Sequence, residues 1–287
     1  MELRQVEHFV AVVDEEGFTA AADAVGITQP ALSQSVAALE RELGTPLFVR
    51  APRRVSLTAA GEALLGPARQ LLRAAREARA SVEGVVELAQ GTLDLVALPT
   101  LAVDPLTPLL GRFRAAHPGV EVRVAAPDQR VAVLDQVRRG DAELGLTDLR
   151  DAVEGLDARP VADQEVVLAV APGTRIGRSR RQPRDVLGRL EMITTPTGTA
   201  TRDLLEQACS DAGVEPHVAV VTDHREMLAP LVVAGGGAAL LAASHARDAA
   251  AAGADIVRLD PPLSRRIGFV HRPGPLSPAA AGLLDLL

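Results

Sequence analysis

The sequence predicts an α/β protein built in three successive parts, and three observations predict it. Residues 4–43 show three short helical periodicities, followed by two short β-type runs on either side of Pro52. Residues 58–89 carry one apolar stripe at helical spacing and no strand signal. From Gly91 onward, short Val/Leu/Ala runs alternate with helical stretches, the pattern of largely parallel sheets covered by helices.

Composition sets the outer limits. A length of 287 residues suits about two domains. No run approaches the roughly 18 apolar residues of a membrane-spanning helix, and the stretch Met1 to Gln5 lacks the basic-then-apolar form of a signal peptide. Cys209 is the one cysteine, which excludes an internal disulfide, so a soluble cytoplasmic protein is expected. All 30 basic residues are Arg, and the net charge is −7. Any contact with nucleic acid must therefore rest on a local basic patch and not on the global field.

In the first part, Val6, Phe9, Val10 and Val13 give a helix over about 4–16, which Gly17 can end. Residues 18–25 form a second helix crowded with alanine, whose small side chains let another helix approach. Gly26 suits a tight turn that needs positive φ. Thr28 is placed to cap the third helix with its hydroxyl, and Pro30 falls in the first turn, where its missing N–H costs little. That helix, 29–43, is expected to bury Leu32, Val36, Leu39 and Leu43. Its opposite face shows Gln29, Ser33, Gln34 and Ala37. These are the short, polar or small residues that a recognition helix brings to base edges in the major groove. Two short helices, a glycine turn and a third helix read as a helix-turn-helix. Residues 44–57 read as a two-stranded wing, with Arg50, Arg53 and Arg54 around Pro52, suited to phosphates and narrow minor grooves.

A string of residues makes this more specific: Phe9, Phe18-Thr19-Ala20-Ala21-Ala22, Gln29-Pro30-Ala31-Leu32-Ser33, Leu39-Glu40, Leu43-Gly44, Leu47-Phe48, Arg50, Arg53-Arg54, Leu57-Thr58 and Ala60-Gly61. In this string residues 1–61 resemble the N-terminal domain of the LysR-type transcriptional regulators, and the layout of the remaining chain is similar to that family too. The resemblance implies that Gln29, Pro30 and Ser33 lie against a double-stranded operator, with Arg53 in the wing. Thr28, Gln34, Arg50 and Arg54 complete the expected DNA-facing set. It also implies a homodimer or homotetramer, no cofactor, and contact with RNA polymerase if the protein is an activator. One departure concerns charge: residues 1–90 hold nine Arg against twelve acids. Few phosphates can then be neutralised, so modest non-specific affinity and a shallow salt slope are expected.

In the second part, Leu64, Ala68, Leu71, Ala75, Ala78, Val82 and Val85 alternate by four and three, which is a heptad seam. Leu65, Leu72 and Val86 widen it. The helix would span about 48 Å and needs a partner, with a kink at Pro67, which cannot donate to the carbonyl of Ala63. The expectation is a dimer through this helix that presents two recognition helices to spaced half-sites. The same stripe would also serve packing against its own domain.

In the third part, the pattern gives strands at 92–98, 119–126 and 142–147, then two near 157–163 and 165–171, and further alternation to strands near 256–260 and 265–271. The resemblance implies two α/β subdomains joined by two crossover strands, similar to periplasmic solute-binding proteins. Domain boundaries are expected at 1–57 (winged helix), 58–90 (linker helix) and 91–287 (effector domain). Within the last, subdomain I takes 91–161 with 269–287, and subdomain II takes 162–268. Ligands of open α/β sheets bind outside the carboxyl ends of strands. Three junctions qualify: Leu98-Pro99-Thr100, Leu146-Thr147-Asp148 and Thr195-Pro196-Thr197-Gly198-Thr199. Free N–H groups and hydroxyls at Thr100 and at Thr197 to Thr199 can hold an anionic group, with His224 nearby, and the resemblance implies this use of the first and last junctions. Each threonine would equally serve as an ordinary helix cap. No Arg belongs to the junctions, so recognition of charge is expected to rest on dipoles and hydrogen bonds. Asp104, Asp128 and Asp148 oppose a highly charged anion. A small organic effector, a monoacid or a neutral polar compound, fits this setting.

Other chemistry finds no support. No His pair stands at metal-ligand spacing. Gly235-Gly236-Gly237 lacks the Lys and spacing of a phosphate loop. A cysteine-based peroxide sensor of the family would need a second cysteine. A solute receptor on a similar fold would carry a signal peptide, and an enzyme would need an acid or base in the cleft. Ligand-responsive transcription factor, not an enzyme, is the reading the sequence favours.

Overall fold

The computed structural model describes residues 1–51, 54–83, 91–151, 153–177 and 181–287. Helices α1 (Leu3–Asp14), α2 (Phe18–Val25) and α3 (Gln29–Leu43) close on Val6, Phe9, Leu32, Val36, Leu39 and Phe48. The rings of Phe9 and Phe18 each lie 5.4 Å from that of Phe48. Leu43, expected inside, is 41% exposed, because it closes the last turn of α3 before Gly44 (φ 71°) leads the chain away. The wing pairs β1 (Phe48–Ala51) with β2 (Arg54–Leu57) antiparallel. One carboxylate oxygen of Glu40 on α3 accepts from the backbone N–H groups of Leu47 at 2.8 Å and Phe48 at 3.3 Å, which fixes the wing to the helix.

Helix α4 (Ala59–Glu83) leaves the wing under a strict local rule. The Thr58 hydroxyl accepts from the Gly61 N–H at 3.1 Å, and a Cβ at Gly61 would stand 2.2 Å from the Leu47 carbonyl oxygen. Only glycine permits that crossing. Helical structure continues through Pro67, the position of the expected kink. One ladder bond is lost there, but Leu64, Leu65 and Ala68 hold the segment against the N-terminal core. Part of the expected seam therefore packs on its own domain, while Leu71 is 40% exposed. Val85 and Val86 lie outside the described residues.

The third part opens with β3 (Gly91–Ala97), β4 (Val120–Ala125) and β5 (Leu144–Asp148), parallel in the order β4-β3-β5. The short α5 (Pro99–Leu101), α6 (Thr107–Ala116), α7 (Arg130–Arg139) and a C-terminal helix α11 (Pro278–Leu284) pack around them. Leu95, Leu101, Phe113, Val133, Phe269 and Leu283 share one core. The alternation read from the sequence contains no element at α11. On the N-terminal side, Arg69 of α4 bonds both Asp14 of α1 and Asp141 beyond α7, so one side chain joins three units.

The principal correction concerns 157–171. A single strand, β6 (Asp157–Val170), replaces the two expected. It pairs antiparallel with β12 (Leu263–His271) from Leu263↔Val166 to His271↔Asp157, so the backbone finds partners along the whole crossing and has no reason to break. A register shift lies at Ile267/Gly268. Beyond it, β10 (Ala239–Ala242) and β11 (Asp255–Asp260) flank the second half of β6, both antiparallel, and β7 (Arg181–Pro183) runs parallel to β11. A parallel pair, β8 (Glu191–Thr194) and β9 (His217–Val221), stands alongside. Helices α8 (Ala200–Asp211), α9 (Leu228–Val233) and α10 (Ala243–Ala251) cover this lobe. Val166, Leu168 and Val170 of β6 pack with Leu205 and Cys209, while Val167 and Ala169 pack with Leu228, Val232 and Ala246. Successive side chains point to opposite faces. Both faces are covered, which is why the segment is a continuous apolar run and not an alternating one.

Candidate functional sites

The DNA-facing set divides by burial. Leu32, Val36 and Leu39 anchor one side of α3. Thr28, Gln29, Pro30 and Gln34 are exposed on the other, and Ser33 is half-buried. Thr28 occupies the N-cap, yet its hydroxyl makes no capping bond. A cap side chain accepts from the second or third helical N–H, and Pro30 at the second position has none to offer. Behind the helix, His8 Nδ1 meets Ser35 Oγ at 2.7 Å, and burial lowers the pKa of the imidazole. Arg50 and Arg54 stand on the two wing strands, with Arg50 opposite Val55 and Arg54 opposite Ala51. Arg53 lies outside the described residues.

At the waist of the third part is a cavity of about 370 Å³ with walls from both lobes. Pro99, Thr100 and Asp128 come from the first lobe. The second supplies Val166, Leu228, Leu240 and Leu241. Two arginines line it as well. Arg265 on β12 donates from Nε to Gln164 Oε1 and from Nη2 to Thr100 Oγ1, both at 2.9 Å. Arg225 donates from Nε to Asp128 Oδ1 at 3.0 Å and from Nη1 to Thr201, which draws the lobes together. The sequence offers only dipoles and hydrogen bonds at the junctions, and the cavity beside Pro99 and Thr100 also holds these two guanidinium groups. The cations arrive from β12 and from the turn before α9, far from the junctions in sequence.

Thr147 and Asp148 are not among the residues that line this cavity. Asp148 is 1% exposed and grips Arg150 through two bonds, Nε to Oδ1 at 2.7 Å and Nη2 to Oδ2 at 2.9 Å. Arg130, at the start of α7, lies 3.3 Å from the same carboxylate. Burial alone would raise the Asp148 pKa, but the Arg150 bonds and the charges of Arg150, Arg130 and Arg265 hold it below the ordinary value. The Thr147 hydroxyl is buried with no hydrogen-bond partner among the described residues.

At the third junction Thr199 is the N-cap of α8. Its oxygen accepts from the Arg202 N–H at 3.4 Å, its hydroxyl donates to the Pro196 carbonyl at 2.7 Å, and Thr195 Oγ1 stands 2.5 Å away. Gly198 holds φ 81°. Of the seven sequence-predicted effector residues, Pro99 and Thr100 line the cavity. Thr147 and Thr199 are buried beside their own strand ends, Thr197 and Gly198 are exposed, and His224 is exposed 3.6 Å from Glu226. Sequence reasoning missed Arg265 and Arg225. One signal for Arg265 existed: it shares the inward register of β12 with buried Leu263 and Ile267, whereas Arg266 points to solvent.

Cys209 is buried on α8, and desolvation pushes its thiol up to about 11, so it holds its proton at neutral pH. Among the described residues no group of His, Cys, Asp or Glu is arranged to hold a metal ion, and no helix is long and apolar enough to cross a membrane.

A winged helix-turn-helix, a long helix and a two-lobed domain with a cavity at its waist together define a class, the ligand-responsive DNA-binding regulators. Residues 3–62 match the bacterial regulatory helix-turn-helix protein, lysR family, and residues 87–287 match the LysR substrate binding domain. The chain belongs to the LysR family of transcriptional regulators. It is 33% identical over 267 residues to a probable hydrogen peroxide-inducible genes activator of Mycobacterium avium, covering 92% of this chain and 86% of that protein. Its fold is similar to a full-length OxyR variant from Pseudomonas aeruginosa, with TM-score 0.83 and 21% identity over 100% of this chain and 94% of that one. It is also similar to full-length CbnR complexed with its target DNA, with TM-score 0.67 and 23% identity over 100% and 98% of the two chains.

Proposed function

We propose that this regulator is a cytoplasmic, non-enzymatic protein that binds a double-stranded operator as a homodimer or homotetramer and answers to a small organic effector held between its lobes. Residues 1–57 read DNA, 58–90 join the protomers, and 91–287 sense the effector. Pro99 and Thr100 touch it, and Thr147, Thr197, Gly198, Thr199 and His224 shape the surrounding strand ends. If it activates, it contacts RNA polymerase. The observation that carries the reading is the divided face of α3: an apolar side locked in the core, and an opposite side with Gln29, Pro30 and Gln34 exposed and Ser33 half-buried among them. Losing one base contact weakens operator binding by about 1–3 kcal/mol. Gln29→Ala and Arg53→Ala should each show that loss in a mobility-shift assay, and unchanged binding in both overturns the docking.

The exposed Leu71 supports a dimer seam on α4. Leu71→Arg should give a monomer or aggregate with lost operator affinity; a variant that stays dimeric by light scattering and binds normally removes the helix from that role. Peroxide sensing through cysteine, suggested by the name of the mycobacterial relative, is disfavoured by the buried, protonated Cys209, since the thiolate is the reactive form.

A further inference from the structure

We infer that Arg265 is the charge anchor of the cleft and that the effector is a compact, apolar monocarboxylate; this rests on the reading of the cleft as the effector site. Three features of the cavity point to it.

The first is an unbalanced cation. Arg265 as a residue is half-buried, but its guanidinium lies deep enough that burial pulls its pKa down to about 10. It still carries its charge at neutral pH. Its two hydrogen-bond partners, Gln164 and Thr100, are both neutral, and among the described residues it forms no ion pair. Asp148, the acid whose charge acts on it, is already held by Arg150 and Arg130. A buried cation without a counter-ion is costly unless an anion is supplied, and Arg265 lines a cavity that can admit one.

The second is the wall. Val103, Val166, Leu204, Leu228, Leu240 and Leu241 enclose the remaining space. His245, also on the wall, has its pKa lowered mainly by burial, so it adds no further cation beside the two arginines at neutral pH. At about 370 Å³ the cavity stands near the lower end of small-molecule sites, roughly 300–1,000 Å³. It suits a six-membered ring or a short branched chain and excludes a large ligand.

The third is the mouth. Asp128, Asp223 and Glu226 line it, and Arg225 is already engaged by Asp128 and Thr201. A ligand whose carboxylate meets Arg265 would send any second carboxylate toward these acids. The site therefore selects one negative charge and rejects two.

The test is calorimetry on the full-length chain with four probes: benzoate, 4-methylpentanoate, benzamide as the neutral isostere, and terephthalate as the dianion. The two monocarboxylates should bind wild type at least about tenfold more tightly than benzamide or terephthalate, the margin of a charged hydrogen bond. Arg265→Gln should remove that margin, weakening benzoate by at least about tenfold and benzamide by much less, and Arg265→Lys should keep most of it. Equal binding of all four probes, or no binding of either monocarboxylate, overturns the assignment. Loss of benzoate and benzamide alike in Arg265→Gln also overturns it, because Arg265 would then be a strut between Gln164 and Thr100. If Arg265→Gln fails to fold, Arg265→Lys decides: equal benzoate and benzamide affinities there overturn the assignment. A separate variant isolates the underlying reading. Val103 is 57% exposed on the cavity rim, so Val103→Trp can fill the cleft without disturbing the core. Benzoate binding that survives Val103→Trp refutes the cleft itself, whereas binding that is lost there but lacks charge preference refutes only the anchor.

Discussion

The strand ends of the two lobes resemble each other in sequence and engage their polar groups in opposite ways. In the first lobe, Thr100 meets Arg265 from β12, and Asp148 meets Arg130 from α7 as well as Arg150 two residues further on. In the second lobe, Thr195, Pro196 and Thr199 satisfy one another and the first turn of α8. A threonine at the end of a strand is therefore ambiguous by itself. What separates a cap from a site is whether a partner arrives from elsewhere in the fold.

Three substitutions test that contrast, taken from the largest effect to the smallest. Asp148→Asn leaves Arg150 and Arg130 facing a neutral amide in a buried place. It should destabilise the protein by about 3 kcal/mol in urea unfolding at neutral pH, the low end for a broken buried pair because Arg150 is partly solvated. The sign with pH follows from the lowered Asp148 pKa. Its contribution is complete above the unfolded carboxylate value, about 3.9, and disappears as pH falls through the lower folded value. The gap between wild type and Asp148→Asn should therefore close in strong acid; a gap independent of pH would show that the carboxylate's charge is not what stabilises. Thr199→Val removes a cap and should lower stability by about 1 kcal/mol with benzoate binding unchanged. Thr100→Val should do the reverse, with stability within about 0.5 kcal/mol of wild type and benzoate bound about two- to tenfold more weakly. Identical behaviour of the two threonine variants in melting and calorimetry would erase the distinction between the lobes.

Legibility followed the range of the interactions. The three N-terminal helices, the wing and the start of α4 were readable because their signals are local: apolar spacing in α1 and α3, and Gly26 for the left-handed turn. The Pro99-Thr100 edge of the cleft was readable from a strand-to-helix junction. Arg265 and Arg225 were not, because the contact of Arg265 with Thr100 and that of Arg225 with Asp128 span long stretches of chain that no periodicity reports. The division of 157–171 into two strands failed for a related reason. The Pro160 to Gln164 stretch has the composition of a break until β12 is laid against it. At Leu64 and Ala68 the α4 stripe meets its own domain, the alternative the sequence left open, because an apolar stripe does not say which neighbour it meets.

The crossing of β6 and β12 has a mechanical meaning. The two lobes share one hydrogen-bonded ribbon and are not strung on loose connectors. At the register shift, a Cβ on Gly268 would lie 2.5 Å from the Arg159 carbonyl oxygen, so the ribbon is thinnest and tightest there. A ribbon of this kind resists opening and shearing, which break its rungs, and yields most readily to twist about its long axis. Filling the cleft should thus reach the DNA-binding end as torque, a rotation of one lobe against the other. Spin labels on the two lobes would see their relative orientation turn while the separation of their centres barely changes.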